Sequence, residues 1–251
     1  MERAFVIFVA ILLQTTAAVA QDKGGAGMES PFLALDRKRP EQPARSNDLL
    51  SYAPGPPARE RSIPDAEAAA ACKALLADAS IVTTPHAAIS GEGGCGIAAP
   101  ITLEAVLLPD KRRIEIAPAP VMRCDLAARF GAFVRETIAP VTASLGRKVK
   151  RVITADAYDC RNRNRQADAN PSEHATGAAI DLAAIEFVDG SVMRVTDKAR
   201  DPTIAISLRQ SACARFSTVL GPGSDGYHED HVHLDLARRR GGAKICQWAL
   251  K

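Results

Sequence analysis

Four of the five histidines in this chain lie in two short segments that are far apart in the sequence. Residues 172–181 read SEHATGAAID, and residues 228–233 read HEDHVH. Imidazole and carboxylate are the groups that zinc accepts from a protein that does not use thiolate ligands. A fold that brings the two segments together forms a metal site, so these residues constrain the fold more than any other feature.

The first segment offers His174 and Asp181, which are seven residues apart. On a helix this spacing would put both side chains on one face, but Gly177 and the strand-like residues 180–182 oppose a helix. We therefore expect His174 to lie on a loop that enters a strand carrying Asp181. Gly177 would then permit a tight or left-handed turn.

The second segment predicts a short strand on which His231 and His233 share a face, because side chains alternate along a strand. His228 can reach the same cleft from the preceding loop. Three protein ligands would leave a fourth position for water, as in a catalytic zinc site. The ligand types favour zinc over nickel or copper, and the alternative is a chance grouping of structural histidines.

The first 20 residues are typical of a signal peptide. Arg3 supplies a positive charge, residues 4–13 form an apolar run, and residues 18–20 read AVA, a small-residue cleavage site before Gln21. The alternative is an uncleaved membrane anchor, but the run is shorter than the roughly 20 apolar residues that span a bilayer. We therefore expect a periplasmic or otherwise exported protein without a stable transmembrane span.

Six cysteines follow the predicted signal peptide, and an even number in an exported chain favours disulfide bonds. We expect three bridges, and we favour a Cys213–Cys246 pair because it would tie down the C-terminal end of the domain. The sequence does not choose among the other pairings. The cysteines are Cys72, Cys95, Cys124, Cys160, Cys213 and Cys246.

Composition divides the chain and argues against one class of partner. The net charge is +3 without a long basic run, which does not favour nucleic acid as a partner. Residues 21–64 are rich in proline and poor in periodicity, so they predict a disordered linker. Residues 65–251 remain as the folded domain.

Helical and strand-like patterns alternate along this domain and predict an α+β fold. Pro140 lies within the second helical pattern and should kink or end it. The helical patterns cover residues 68–79, 125–145 and 204–218, and the strand patterns cover residues 106–108, 114–116, 149–157, 178–187, 191–195 and 232–236.

The two histidine segments resemble a known signature. Residues 172–181 match the pattern SxHxxGxAxD of the D-alanyl-D-alanine metallopeptidase and hedgehog superfamily, and residues 231–233 match its second element, HxH. The wider context is similar to the extensin-like C-terminal family of bacterial exported proteins and covers about residues 65–246. Its resembling parts are residues 159–162, 172–182, 213–216, 219–223 and 228–235.

The resemblance implies zinc held by His174, Asp181 and His233 on a small antiparallel sheet flanked by helices. The peptidases of the superfamily cut peptides that contain D-amino acids, chiefly in peptidoglycan. Their general base is often a glutamate three residues before the last ligand, where this chain has Asp230. The chain fits better a second version, that of the penicillin-insensitive murein endopeptidases, with histidines at positions 228 and 231.

These likenesses lead us to expect a zinc-dependent hydrolase of peptidoglycan amide bonds, either an endopeptidase or a carboxypeptidase. His231, or alternatively Asp230, would accept a proton, and His228 would stabilise the oxyanion. Ser172 would hold His174 or the substrate, and Arg161 would clamp a substrate carboxylate unless it is an ordinary surface arginine. The alternatives are a non-catalytic zinc-stabilised cell-wall binding module and a structural envelope protein.

Overall fold

The computed structural model describes residues 65–197 and 201–250. The predicted signal peptide at residues 1–20 and the predicted linker at residues 21–64 lie outside the described residues. None of the described helices is long and apolar enough to cross a membrane.

The described residues form helices and strands in mixed order. The α-helices are α1 Asp65–Leu76, α2 Cys124–Phe133, α3 Ala139–Ala143 and α4 Pro202–Arg215. The strands are β1 Ile81–Pro85, β2 Ile89–Ser90, β3 Gly96–Ile97, β4 Pro100–Leu107, β5 Arg113–Ala117, β6 Val121–Arg123, β7 Val149–Asp156, β8 Ala179–Phe187, β9 Val192–Arg194, β10 Thr218–Leu220, β11 Val232–Asp235 and β12 Ile245–Gln247.

Ten of these strands belong to one sheet with the order β1-β4-β5-β7-β8-β11-β10-β12, in which β6 also pairs with β4 and β9 with β8. The pairs β5–β7 and β10–β12 are parallel, and the others are antiparallel. The α+β prediction is confirmed, but the predicted small antiparallel sheet is wrong because the sheet is large and mixed. A parallel pair needs a crossover connection, and the segment with α2 and α3 provides it between β5 and β7.

A long helical segment connects β6 to β7. A π-helical segment, Val134–Ile138, joins α2 to α3, so the helical backbone runs over residues 124–143. Pro140 has no N–H, and its ring needs room beside the carbonyl of the preceding turn. The wider π turn lies immediately before Pro140 and supplies that room, which is why the helix continues past the proline.

One apolar core joins the helices to the sheet. Phe130 and Phe133 of α2 belong to the same buried cluster as Ile180 and Leu182 of β8. Side chains alternate along a strand, so Asp181 points to the face of the sheet opposite this core. That second face carries the polar site described below.

Three disulfide bonds link the described cysteines, as predicted. They are Cys72–Cys124, Cys95–Cys160 and Cys213–Cys246, with Cα–Cα distances of 5.5, 5.5 and 5.6 Å, which lie in the usual range for disulfides. The predicted Cys213–Cys246 pair is confirmed, and it connects the last turn of α4 to β12.

Candidate metal centre

The register of two central strands brings the two histidine segments together. Strands β8 and β11 are antiparallel neighbours, and His233 is the direct cross-strand partner of Asp181. Directly opposed residues project from the same face of a sheet with close Cβ atoms. The sheet therefore places one imidazole and one carboxylate side by side on the face opposite the core.

A short turn before β8 adds the third member. Residues Glu173–Thr176 form a 3-10 turn, and the Ser172 hydroxyl accepts a hydrogen bond from the His174 backbone N–H at 3.3 Å. Gly177 ends the turn with φ +65, and a Cβ at this glycine would lie 2.3 Å from Cδ1 of Ile97. This is the predicted arrangement of a loop that enters a strand, and glycine is required there by both conformation and space.

The three side chains present one donor atom each to a common point. His174 Nε2 lies 3.1 Å from His233 Nδ1 and 3.3 Å from Asp181 Oδ1, and His233 Nδ1 lies 3.0 Å from Asp181 Oδ1. Ligands about 2.0–2.1 Å from a tetrahedral zinc ion are separated by roughly 3.3 Å. The donor triangle therefore fits a small tetrahedral cation.

Each imidazole is oriented by a hydrogen bond through its other nitrogen. His174 Nδ1 lies 2.5 Å from the backbone carbonyl oxygen of Ala157, and His233 Nε2 lies 3.2 Å from Asp235 Oδ2. A carbonyl or carboxylate oxygen only accepts, so these ring nitrogens carry the hydrogens. The other nitrogen of each ring then faces Asp181, as in metal-ligating histidines, where it can share a proton with the carboxylate or offer a lone pair to a cation.

The pKa values of His233 and Asp181 also favour a bound positive charge in this cluster. Burial alone would lower the pKa of His233, but its hydrogen bonds to Asp181 and Asp235 outweigh burial and raise that pKa to about 9. Burial would raise the pKa of Asp181, but hydrogen bonds from His174 and His233 hold it well below its usual range. The cluster therefore binds positive charge at neutral pH, as a proton when no metal is bound.

His231 lies on the same side of the sheet as the triangle. Its Nε2 is 3.4 Å from Oδ2 of Asp181, and its Nδ1 is 2.7 Å from Oδ1 of Asp230. Burial would lower the pKa of His231, but the hydrogen bond to Asp230 and the charge of Asp181 raise it. The two predicted bases therefore form one pair, in which the Asp230 carboxylate holds the His231 imidazole. The Asp230 side chain is 66% exposed.

His228 reaches the cluster from the loop before β11, as predicted. Its ring centroid lies 5.2 Å from that of His231 and 5.5 Å from that of His233. Its Nδ1 lies 2.7 Å from Oδ1 of Asp225. His231 and His233 therefore contact the Asp181 carboxylate, and His228 packs against both of their rings.

The Arg161 side chain is mostly shielded from solvent and already pairs with two carboxylates. Its side chain is 16% exposed, and it donates to Asp159 at 3.0 Å and to Asp156 at 3.1 Å. Asp156 is a cross-strand neighbour of Asp181 in the β7–β8 ladder. Arg161 thus lies one strand away from the triangle, with its guanidinium held by two carboxylates, and its role as a substrate clamp stays a prediction.

Three groups that orient the histidines were not predicted. The Ala157 carbonyl carries no side-chain signal, and only the fold brings it to His174. Asp235 follows His233 at a spacing of two, so strand alternation could have placed it on the same face. Asp225 precedes His228 by three residues within a glycine-rich turn, a spacing that suits a local side-chain bond.

A family model described as Extensin-like protein C-terminus matches residues 70–247, which is more than two thirds of the chain. The match contains all the residues of the metal-centre candidate and all six cysteines. No curated protein matches the chain.

Proposed function

The chain belongs to the extensin-like protein C-terminus family, and we propose that it is a zinc-dependent hydrolase of amide bonds in peptidoglycan. It would act as an endopeptidase or carboxypeptidase on peptide stems or cross-links that contain D-amino acids. The substrate class rests on the likeness of residues 172–181 and 231–233 to the D-alanyl-D-alanine metallopeptidase signature. The chemistry rests on the geometry of the cluster.

The donor triangle of His174, Asp181 and His233, with both rings oriented by outer hydrogen bonds, is the observation that carries the proposal. A site built only for structure is commonly closed by four protein ligands. Here three protein donors would hold the ion and leave a fourth position for water, and Nε2 of His231 lies 3.4 Å from Oδ2 of the donor Asp181. This arrangement supports catalysis over a purely structural role.

Zinc in this position would lower the pKa of water to about 7 and polarise the carbonyl of the scissile amide. His231 is placed to accept a proton at Nε2, while Asp230 holds the hydrogen on Nδ1. The same ring then returns the proton to the leaving amine. His228, whose ring centroid lies 5.2 Å from that of His231, would act as an imidazolium that donates from Nε2 to stabilise the charge that develops on the carbonyl oxygen.

The three disulfides support a location outside the reducing cytoplasm. We therefore propose that the protein works in the periplasm or otherwise outside the cytoplasm, where peptidoglycan lies. Arg161 donates to Asp159 through Nε and to Asp156 through Nη2, so its other guanidinium N–H groups are the donors that would bind a substrate carboxylate.

The test uses the purified zinc-loaded chain, intact peptidoglycan and mass spectrometry of the released fragments. We expect cleavage by the wild type, and a roughly hundred- to ten-thousand-fold slower rate in His231→Ala with zinc still bound, because a general base contributes about that much. His86→Ala is the matched control, since His86 lies outside the cluster and contacts Thr102.

The rival outcomes are distinct. If Asp230 is the base, Asp230→Ala gives the large loss and His231→Ala a smaller one. Near-normal cleavage by both variants, with zinc retained, contradicts the catalytic assignment. A zinc-loaded wild type that binds peptidoglycan without cutting it would identify a cell-wall binding module instead.

A further inference from the structure

The loop before β11 contains a carboxylate at the centre of several hydrogen bonds. Asp225 Oδ1 accepts from the Tyr227 backbone N–H at 2.9 Å and from the Ser224 hydroxyl at 3.3 Å. The same oxygen lies 2.7 Å from Nδ1 of His228. One carboxylate oxygen therefore shapes the turn and holds the imidazole.

This contact determines which ring nitrogen of His228 can meet a substrate. Hydrogen bonds to His228, Tyr227 and Ser224 lower the pKa of Asp225 against the effect of burial, so the group is a carboxylate at neutral pH. A carboxylate accepts hydrogen bonds and does not donate them. His228 Nδ1 therefore carries a hydrogen, and Nε2 is the nitrogen that remains for chemistry at the cluster.

The same arrangement recurs at the neighbouring ring. Asp230 lies 2.7 Å from Nδ1 of His231, the same distance and the same ring atom as in the Asp225–His228 pair. The two rings lie 5.2 Å apart between centroids. Two imidazoles at the edge of the donor triangle are thus each held by a nearby aspartate, one from each end of the same loop.

We infer that Asp225 is a positioning residue, which fixes His228 with Nδ1 toward the carboxylate and Nε2 toward the substrate. This inference rests on the proposed hydrolase function for its effect on rate, but not for its effect on the ring. Without Asp225 the imidazole can rotate or exchange its hydrogen between the two nitrogens. The orienting groups around a metal site typically contribute about 10- to 100-fold in activity or affinity.

Two substitutions at Asp225 separate orientation from charge. Asp225→Ala removes the acceptor, and we expect kcat to fall about 10- to 100-fold with unchanged KM and zinc content. Asp225→Asn keeps a side-chain oxygen that can accept from Nδ1 and from Tyr227, so we expect kcat within about threefold of the wild type.

Glu229 provides a control in the same loop. Its Oε1 accepts from the Gly223 backbone N–H at 2.9 Å and so holds the turn, and among the described residues its carboxylate makes no hydrogen bond or ion pair with a histidine. Glu229→Ala should therefore leave kcat near the wild-type value. An equal loss in Glu229→Ala would show that loop integrity, and not the orientation of His228, is responsible.

Long-range proton–nitrogen NMR of the zinc-loaded protein reads the ring directly, with His228→Ala used for assignment. We expect a hydrogen on Nδ1 of His228 in the wild type and Asp225→Asn, and its loss or exchange in Asp225→Ala. An unchanged tautomer in Asp225→Ala overturns the inference, as does a kcat in Asp225→Asn as low as in Asp225→Ala. Absence of turnover in the wild type would reject the hydrolase, while the NMR result would still decide the positioning role.

Discussion

The two ring nitrogens of His174 have different partners: Nδ1 contacts the Ala157 carbonyl, and Nε2 belongs to the donor triangle. His174→Ala should therefore remove a ligand without disturbing the strands. Zinc at about a hundredfold excess over its Kd stabilises a folded protein by about 2.7 kcal/mol. We expect added zinc to raise the unfolding temperature of the wild type and of His86→Ala, but not of His174→Ala.

Elemental analysis after gel filtration measures the zinc content of each variant directly. The wild type should carry one zinc per chain and His174→Ala much less. Full zinc occupancy in His174→Ala would show that the ligands are assigned wrongly.

His233 makes the metal-free protein sensitive to pH. Its pKa is raised to about 9 in the folded chain, against about 6.5 for an unperturbed histidine. The stabilisation from this proton is therefore complete below about pH 6.5 and is lost as the pH rises through about 9. In chelator, we expect the unfolding temperature to fall over that interval.

Zinc affinity should depend on pH in the opposite direction to the stability of the metal-free protein, because zinc binding must release the His233 proton. The apparent zinc affinity should rise as the pH increases from 6.5 to 9. Calorimetric titrations in buffers with different ionisation enthalpies measure the released proton. A zinc affinity that is independent of pH over this interval would contradict the raised pKa of His233.

At the scale of elements, the 3-10 turn depends on Gly177. Gly177 and Gly93 have nearly the same positive φ, +65 and +64, but a Cβ at Gly93 meets nothing within 4 Å. Gly93→Ala should cost only the backbone strain, about 1–2 kcal/mol. Gly177→Ala adds a collision with Ile97 and should cost more and weaken zinc binding. Equal costs, measured by denaturant unfolding, would show that the packing around Gly177 is not what holds the turn.

The elements that carry the site were predictable because their patterns are local. The apolar run at residues 178–187 corresponds to β8, the pattern at 149–157 to β7, and the alternation at 232–236 to β11. The predicted ligands are adjacent in the structure because β8 and β11 pair in register. The helical pattern predicted from residue 125 begins one residue earlier in the structure, at Cys124, so Asp125 lies in the first turn of α2 and pairs with Arg123.

The extent of the sheet was not predictable, because it depends on pairings between distant segments. Several of its strands have only three residues, among them β6, β9, β10 and β12, which is too short for a clear period. The parallel pairings of β5 with β7 and of β10 with β12 leave no mark in the sequence of either partner. The Ala157 carbonyl was missed for the same reason, since every residue has one.

At the scale of the whole molecule, the Cys213–Cys246 disulfide joins two elements that carry none of the three donors of the metal centre. Cys213–Cys246 closes a loop with a sequence separation of 33, and the chain-entropy argument gives such a loop about 3–4 kcal/mol of stabilisation. The bridge connects α4 to the last strand β12, whereas the three donors lie on β8, β11 and the turn before β8.

A double variant with Cys213→Ser and Cys246→Ser should therefore lose about 2–4 kcal/mol of unfolding free energy and still bind one zinc at moderate temperature. Denaturant unfolding measures the first effect and elemental analysis the second. Peptide mapping of the wild type without reduction should show the three bridges, and six free thiols would contradict both the bridges and the proposed export. Loss of zinc in the double variant, under conditions where it remains folded, would show that β12 helps to hold the register of β10 and β11, and hence the position of His233.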